Sequence, residues 1–488
     1  MGNHASRNIT NSHKKTDAVT NNGNTQNTNA VSRSSSGNDI EHNSTPFLPI
    51  DNLAKILSHL TYEEEHVHGV TMSIFEKYLF PNYPTLAKNL FTYLHHSAEA
   101  TTPHLTVSIF KQQAEKFLSV MSDQTILENY IIIYSNIKSK DICPDLLRSL
   151  LMNCYQLAMD SNGTATCIYI HRVVNAVVVS CFHGKESLSV SYVNNWMWHH
   201  CPRVVHGLHC YVVHVLTTAY RNGKALLSKE QPQPHLEIPT PVLECADWFD
   251  QPQSLLPVSY VWLLSTTLPQ CYLQANNTPK DITHAIIAKT TGNTCPKHWT
   301  LLYNSSEHGA GANRFLHHVL GYRGPTLLLV KAADPKKDGE YFMYCICSAV
   351  EWRESHLYWG DEDSMGLQFS PTYRVIEKGP KVLYLNTGIR GYPHGLRFGS
   401  NPRTPHISID ESFHSVSIAG APYPIATLEV WGCGDEKLRE RQLDIKKWQV
   451  KEAERQRIVK LSASDWLDHP DRYLLELAGR ASYNESNK

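Results

Sequence analysis

The chain has 488 residues, of which 41% are hydrophobic and 19% are charged, so it is long enough for two folded units with their tails. Its formal net charge of -1, and the lack of a strongly basic stretch in its apolar parts, exclude a protein built mainly for nucleic-acid binding. The 12 irregularly spaced cysteines predict reduced cytosolic thiols, and no apolar run approaches the roughly 18 residues that a membrane span needs.

The first 45 residues predict a site of lipid attachment followed by a flexible tether. Gly2 follows Met1, and Ser6 occupies the hydroxyl position of the N-myristoylation pattern. One myristoyl chain binds membranes only weakly, so we expect a partner protein to supply a second contact. The Asn-, Ser- and Thr-rich stretch that follows cannot bury enough apolar surface to fold. Residues 1–45 are therefore predicted to be a myristoylated, disordered tether on a cytosol-facing membrane.

Residues 46–251 have the apolar spacing of amphipathic helices. Leu53, Ile56, Leu57 and Leu60 recur at three- and four-residue intervals, and similar stretches follow, separated by Pro, Asn or Gly. The predicted helices cover residues 53–60, 74–79, 109–118, 126–137 and 146–159. We predict an all-helical region of degenerate EF-hand-like character.

Two stretches of the helical region contain residue types that bind metals. Asp160–Ala165 has one acidic residue and no glycine at its sixth position, so it does not fit a calcium loop. His199, His206 and Cys210 suit zinc by type, but they complete neither a Cys-x-x-Cys nor a His-x-x-x-His pair. Their helical spacing among valines favours packing in a core helix, with zinc binding as the alternative.

The sequence pattern changes to short apolar runs from Trp299 onward. Such runs, bounded by Gly, Pro and Asp, are typical of the strands of an antiparallel sandwich. The predicted strands cover residues 299–303, 326–330, 341–347, 381–385, 406–409 and 426–431. One helix is predicted between them, over residues 314–320.

Several motifs of this half occur in a recognisable order. Trp299–Tyr303 precedes Ser305–Gly309, and Leu428–Gly432 closes the series after an Arg323–Pro325 step and an acidic Gly360–Asp363 turn. In this order, residues 252–434 resemble a TLDc domain. The motif residues are Glu307, His308, Gly309, Glu429, Trp431 and Gly432.

The resemblance is nearest to the mTOR-associated, Eak-type branch of the TLDc family. That branch also begins with Met-Gly and follows its TLDc domain with a charged helix. The resemblance implies a β-sandwich flanked by helices, residence on the lysosomal membrane and a role in mTOR and nutrient signalling. It implies a membrane-associated adaptor or regulator that binds V-ATPase subunits through its TLDc domain and its C-terminal helix. The expected fold class is α+β, with a helical N-terminal region, a C-terminal TLDc sandwich and an extended C-terminal helix.

The ionisable residues of this half form no recognised catalytic pattern. Glu307 and His308 lie at a predicted strand-to-helix turn, and Glu429 alternates with apolar residues on a strand. The sequence has no phosphate loop, nucleophile elbow or His-Glu-x-x-His helix. We therefore predict a protein that is not an enzyme and needs no cofactor or metal. The alternative is a hydrolase or a redox enzyme that uses Glu307, His308 or the acidic turn at Asp361–Asp363. By analogy with the family it could be an oxidative-stress protection protein, for which Cys345 and Cys347 are the redox-sensitive candidates.

Residues 435–488 are predicted to be a charged C-terminal helical arm. The first part lacks Gly and Pro and has only a thin apolar stripe, so it either stays solvated or offers that stripe to a partner. Aromatic and arginine side chains dominate binding hot spots, which favours a helix-in-groove contact with a partner subunit. The candidate contact residues are Leu438, Ile445, Trp448 and Arg455.

Overall fold

The computed structural model describes residues 48–136, 139–160, 167–223, 254–273, 298–334 and 340–457. The predicted tether with Gly2 lies outside the described residues, as do residues 161–165 of the rejected calcium loop and the arm beyond residue 457. Within the described ranges, no helix combines the length and the apolar character that crossing a bilayer requires.

Helices make up most of the described part of the N-terminal region. Their apolar residues recur on one face, and Leu53, Leu57 and Leu60 are buried as the spacing predicts. Thr106 and Ser189 begin two of the helices by accepting a backbone N–H with their hydroxyls. The helices are α1 (Leu48–Glu65), α2 (Met72–Leu79), α3 (Pro84–Ser97), α4 (Val107–Leu118), α5 (Asp123–Ile133), α6 (Pro144–Asp160), α7 (Ile170–Phe182), α8 (Val190–His200) and α9 (His206–Thr218).

Short antiparallel contacts join the loops of these helices two by two. Val70 bridges Leu105, so the loop between α1 and α2 lies against the loop between α3 and α4. In the same way β1 (Asp141–Ile142) pairs with β2 (Leu188–Ser189), which joins the loop before α6 to the loop before α8. The helices thus form helix–loop–helix units, the motif on which EF hands are built.

One helix prediction is wrong in detail: His199, His206 and Cys210 do not lie on a single core helix. The segment that holds them is divided between α8 and α9, because Pro202 has no N–H to donate and its ring would clash with the preceding turn. Nδ1 of His199 lies 2.6 Å from the carbonyl oxygen of Asn195 in its own helix. No group of three or more His, Cys, Asp or Glu side chains placed to hold a metal occurs among the described residues.

The C-terminal half is an antiparallel sheet folded about one long strand. The strands are β3 (Thr300–Asn304), β4 (Thr326–Ala333), β5 (Tyr341–Ser348), β6 (Met365–Ser370), β7 (Arg374–Lys378), β8 (Leu383–Asn386), β9 (Gly395–Phe398), β10 (Ile407–Ile409), β11 (Ser415–Ile418) and β12 (Ala421–Gly432). Their order is β7-β6-β5-β4-β12-β11-β10-β9-β8, and β3 also pairs with β12. The first residues of β12 pair with β11 and the later ones with β4 and β3, so β12 belongs to both halves of the sheet.

The two halves of the sheet enclose a hydrophobic core. Leu328 and Ile346 from β4 and β5 share one buried cluster with Leu385, Phe398 and Ile407 from β8, β9 and β10. Because side chains alternate between the faces of a strand, the neighbouring residues of β4 and β5 point the other way. The predicted α+β class is therefore confirmed, with helices before an antiparallel sheet domain and a helix after it.

The opposite face of β4, β5 and β6 packs against helices. Leu329, Cys345 and Leu367 belong to the same buried cluster as Val177 of α7 and Trp262 of α10 (Val258–Thr267). The remaining α-helices of the described part are α11 (Gln270–Leu273), α12 (Ser305–His308), α13 (Ala312–Val319) and α14 (Glu436–Arg457), and a short 3-10 helix follows α9 at Ala219–Asn222. Strands β4, β5 and β6 therefore lie between the second half of the sheet and the helical region.

Candidate functional site

Hydrogen bonds between side chains and the backbone hold the Ser305–Gly309 turn. The Asn304 side chain accepts the N–H of Ser306 at 2.9 Å, and Nδ1 of His308 accepts the N–H of Asn304 at 3.0 Å. Gly309 has φ +84°, a conformation that side chains disfavour. The Tyr303 hydroxyl donates to the Gly309 carbonyl at 2.9 Å. Since Nδ1 of His308 is an acceptor, its ring proton lies on Nε2.

The turn contacts β12 without forming a catalytic arrangement. Ser305 Oγ accepts the N–H of Leu428 at 2.9 Å, which fixes the turn to the strand. Glu307 is exposed, and its carboxylate lies near enough to Glu429 to contribute to the raised pKa of that residue. The two glutamates of the motif therefore differ in role, since only Glu429 is buried.

Glu429 joins β12 to the chain that enters the TLDc-like region. Its carboxylate oxygens accept the backbone N–H of Leu255 and the indole N–H of Trp431, each at 3.0 Å. Burial raises the pKa of Glu429 above its ordinary value, and these two hydrogen bonds oppose that shift. Gly432 has no room for a side chain, because a Cβ would lie 2.6 Å from Cζ of Tyr322. Glu429, Trp431 and Gly432 thus serve the core.

The first part of α14 packs onto the sheet domain through Leu438 and Gln442. Leu438 packs against the sandwich core, beside Tyr322. The Gln442 side chain is fully buried, and its Nε2 atom donates to the carbonyl oxygens of His318, Val319 and Leu320 at 3.0, 3.3 and 3.0 Å. These are carbonyls at the end of α13, where the helix itself offers no N–H partner. Gln442 therefore fixes α14 to α13.

Sequence reasoning did not identify Gln442, although a signal for it exists. It lies four residues after Leu438 and three before Ile445, so the helical period puts all three on one face. A polar residue inside an apolar stripe must find a partner when it is buried. That requirement, applied to the stripe, would have selected Gln442.

The second part of α14 extends from the domain with exposed apolar side chains. Trp448 is 63% exposed and Val450 is 53% exposed, whereas Ile445 is half-buried. Arg455 forms an ion pair with Glu452 at 2.8 Å on the helix surface. Of the four predicted contact residues, Leu438 lies in the chain's own core and Trp448 is the large apolar one left accessible.

Cys345 and Cys347 lie side by side in the core. Their sulfur atoms are 3.6 Å apart on β5, and both side chains are buried. Burial raises the pKa of the Cys347 thiol well above its ordinary value. Because the thiolate is the reactive form, this environment disfavours thiol chemistry.

Comparison with known proteins supports the domain assignment. The family model of the TLDc domain matches residues 253–434. Three curated relatives carry the name "Restriction of telomere capping protein 5". That from Pyricularia oryzae is 25% identical over 260 residues, covering 38% of this chain and 41% of the relative. That from Leptosphaeria maculans is 24% identical over 267 residues, covering 40% and 42%.

The third relative, from Lachancea thermotolerans, is 32% identical over 172 residues, covering 30% of each protein. The chain thus spans about two fifths of the length of the first two relatives. The prediction of a TLDc domain is confirmed. The name these relatives carry is not that of the mTOR-associated, Eak-type branch, so the assignment to that branch stays a prediction.

Proposed function

We propose that this TLDc-domain chain is a non-catalytic adaptor that binds a partner protein through α14. The observation that carries the proposal is that α14 has two parts. Leu438 and Gln442 fix its N-terminal part to the sheet domain, and Trp448 is exposed on its outer, C-terminal part. A rigidly mounted aromatic side chain is the usual centre of a binding hot spot. The outer part of α14 is therefore ready to bind without first being ordered.

The resemblance to the Eak-type branch supports V-ATPase subunits as the partner, in mTOR and nutrient signalling. The same resemblance supports a lysosomal or other cytosol-facing membrane as the location. A helix with an exposed apolar stripe fits a groove on a protein surface, which a multisubunit complex provides between its subunits.

The partner proposal is tested with Trp448→Ala and a matched control. Purified V-ATPase is captured on immobilised full-length chain, and Tyr392→Ala serves as the control because Tyr392 is also an exposed aromatic residue, at 47%. Loss of a central aromatic anchor costs about 2 kcal/mol or more, so Trp448→Ala should weaken capture at least about thirtyfold. Equal capture by wild type and Trp448→Ala would refute the proposal.

The membrane proposal is tested at Gly2, which is required for N-myristoylation. Gly2→Ala should lower the fraction of the chain that sediments with membranes. Gly23→Ala makes the same change within the predicted tether and should leave that fraction unaltered. A membrane-bound fraction unchanged by Gly2→Ala would contradict the anchor.

The rival function is a hydrolase or an oxidative-stress protection protein. The contacts described above give it less support, because His308 uses Nδ1 in a turn and Cys347 is held as a buried thiol. Glu307→Gln and His308→Asn distinguish the two functions, since Asn can still accept the Asn304 N–H. An adaptor keeps its V-ATPase capture in Glu307→Gln. A hydrolytic activity present in the wild type and absent from both variants would favour the enzyme.

A further inference from the structure

Imidazole and basic side chains from the turn and two helices meet at the C-terminal end of α13. We define this basic cluster as His308, His317, His318, Arg439 and Lys446. The ring centroids of His308 and His318 are 4.0 Å apart, and those of His317 and His318 are 5.1 Å apart. Arg439 and Lys446 approach from α14, because Gln442, three residues after Arg439 and four before Lys446, binds the His318 carbonyl.

The basic cluster has no anionic partner among the described residues. None of its members forms an ion pair there, and Arg439 donates instead to the neutral Oε1 of Gln442 at 2.5 Å. Glu307 and Glu440, which are next to His308 and Arg439 in sequence, are both exposed, and Glu307 lies near Glu429. Five cationic or protonatable groups therefore lie together without a compensating charge.

The pKa values of the basic cluster reflect this arrangement. Burial and the neighbouring Arg439 lower the pKa of Lys446 to about 8. Burial lowers the pKa of His318 to about 4, and His308, Lys446, His317 and Arg439 add to the shift. Burial, Lys446 and Arg314 lower the pKa of His317. The positive potential at this place therefore opposes further protonation.

We propose that the basic cluster binds carboxylate groups of an acidic protein segment lying along α14. The inference rests on the proposed function and names the chemistry of the partner. A carboxylate would supply the missing countercharge, with Arg439 and Lys446 as cationic donors and His308 donating through Nε2–H. Val450, which is 53% exposed, lies one turn after Lys446 on the same face of α14, so a ligand that covers both the charges and this apolar side chain is a protein segment.

Binding of such a segment should be linked to proton uptake. A bound carboxylate adds negative charge next to His317, His318 and Lys446, which raises their pKa values in the complex. The complex then holds more protons than the separate partners, and the affinity must increase as the pH falls from 8.5 to 6.5. His308, Arg314 and Arg439 face the same place and add no negative charge that would reverse this sign.

The test uses the full chain and a fluorescent helical peptide rich in Glu and Leu. Lys446→Gln removes one charge of the basic cluster. Lys447→Gln removes the same charge from the next residue, which is exposed and pairs with Asp444 on its own helix. We expect Lys446→Gln to weaken peptide binding about tenfold and Lys447→Gln less than about twofold, by fluorescence anisotropy at low salt. Circular dichroism confirms that both variants keep their helices.

The outcomes separate this inference from the proposed function. Equal weakening by both lysine variants, or an affinity that does not increase toward pH 6.5, would overturn the carboxylate site. Displacement of the peptide by millimolar inorganic phosphate, even with Trp448 intact, would assign the basic cluster to a free anion and overturn it as well. If Trp448→Ala loses V-ATPase capture while Lys446→Gln retains it, the adaptor proposal stands and the carboxylate site falls.

Discussion

At the scale of single residues, Gln442 decides where α14 lies. Gln442→Ala removes the buried donor shared by three carbonyl oxygens at the C-terminal end of α13, which should cost about 2 kcal/mol of unfolding free energy. Urea denaturation of the full chain measures the change. Gln449→Ala, at an exposed position of the same helix, should change stability by less than about 0.5 kcal/mol. Similar midpoints for the two variants would show that the contact is dispensable.

His200 makes stability depend on pH at the junction of helices and sheet. Its Nδ1 accepts the N–H of Val375 at 3.0 Å, and burial, His199 and Arg374 lower its pKa to about 4. Below about pH 6.5 the unfolded chain therefore binds a proton at His200, whereas the folded chain does not bind it until the pH approaches 4. The stability contributed by neutral His200 is present above about pH 6.5 and is lost as the pH falls toward 4.

The prediction for His200 is a smaller acid sensitivity in His200→Asn. Asn can accept the Val375 N–H but does not titrate, so the urea midpoint should fall less between pH 7 and pH 5 than in the wild type. A residual slope is expected from His209, whose pKa burial also lowers to about 4. Parallel wild-type and variant curves would contradict the role given to His200.

Sequence reasoning at this scale succeeded where local pattern determines structure. The turn at Ser305–Gly309 was predicted from its residue types, and the structure places Glu307 and His308 there. The partners of Glu429 and Gln442 could not be predicted, because the Leu255 N–H and the α13 carbonyls are distant in sequence. Such contacts depend on tertiary packing, which a single sequence does not encode locally.

At the scale of elements, the approach of β9 to β10 depends on a glycine. A Cβ on Gly395 would lie 2.2 Å from the carbonyl oxygen of Ile409, and its φ is +102°. Gly395→Ala should therefore cost about 3 kcal/mol or more. Gly420→Ala is the control, because φ there is +87° but a Cβ would meet no atom within 4 Å, so only about 1 kcal/mol of strain is expected. Thermal unfolding of both variants gives the comparison.

Sequence reasoning did not predict β6, β7, β9 and β11 of the large sheet, and a weak local pattern accounts for β9 and β11. The runs 326–330 and 341–347 are long and apolar, and they became β4 and β5. By contrast, β9 begins at Gly395 and β11 mixes serines with apolar residues, so neither has a strong β pattern. Their pairing partners and the sandwich core stabilise them, which is information from outside the segments themselves.

At the scale of the whole molecule, the helical region and the sheet form one core. The Tyr373 N–H donates to the Ala176 carbonyl of α7 at 3.1 Å, and the Tyr260 ring of α10 packs 4.9 Å from Phe369. The residues of β4, β5 and β6 that face the helices are as buried as those inside the sandwich. The matched TLDc range, residues 253–434, contains only part of this core.

A fragment of residues 253–457 should therefore be less stable and less soluble than a fragment of residues 46–457. Removing α1 to α9 exposes apolar side chains of β4, β5 and β6, and each square ångström of apolar surface costs about 25 cal/mol in water. Exposed sheet surface of this kind binds hydrophobic dyes and aggregates. Size-exclusion chromatography, dye binding and thermal unfolding of the two fragments measure the difference. A monomeric shorter fragment with an unchanged melting temperature would mean that the helical region contributes little to the fold, and that the sheet domain could present its helix-facing surface to partners as well.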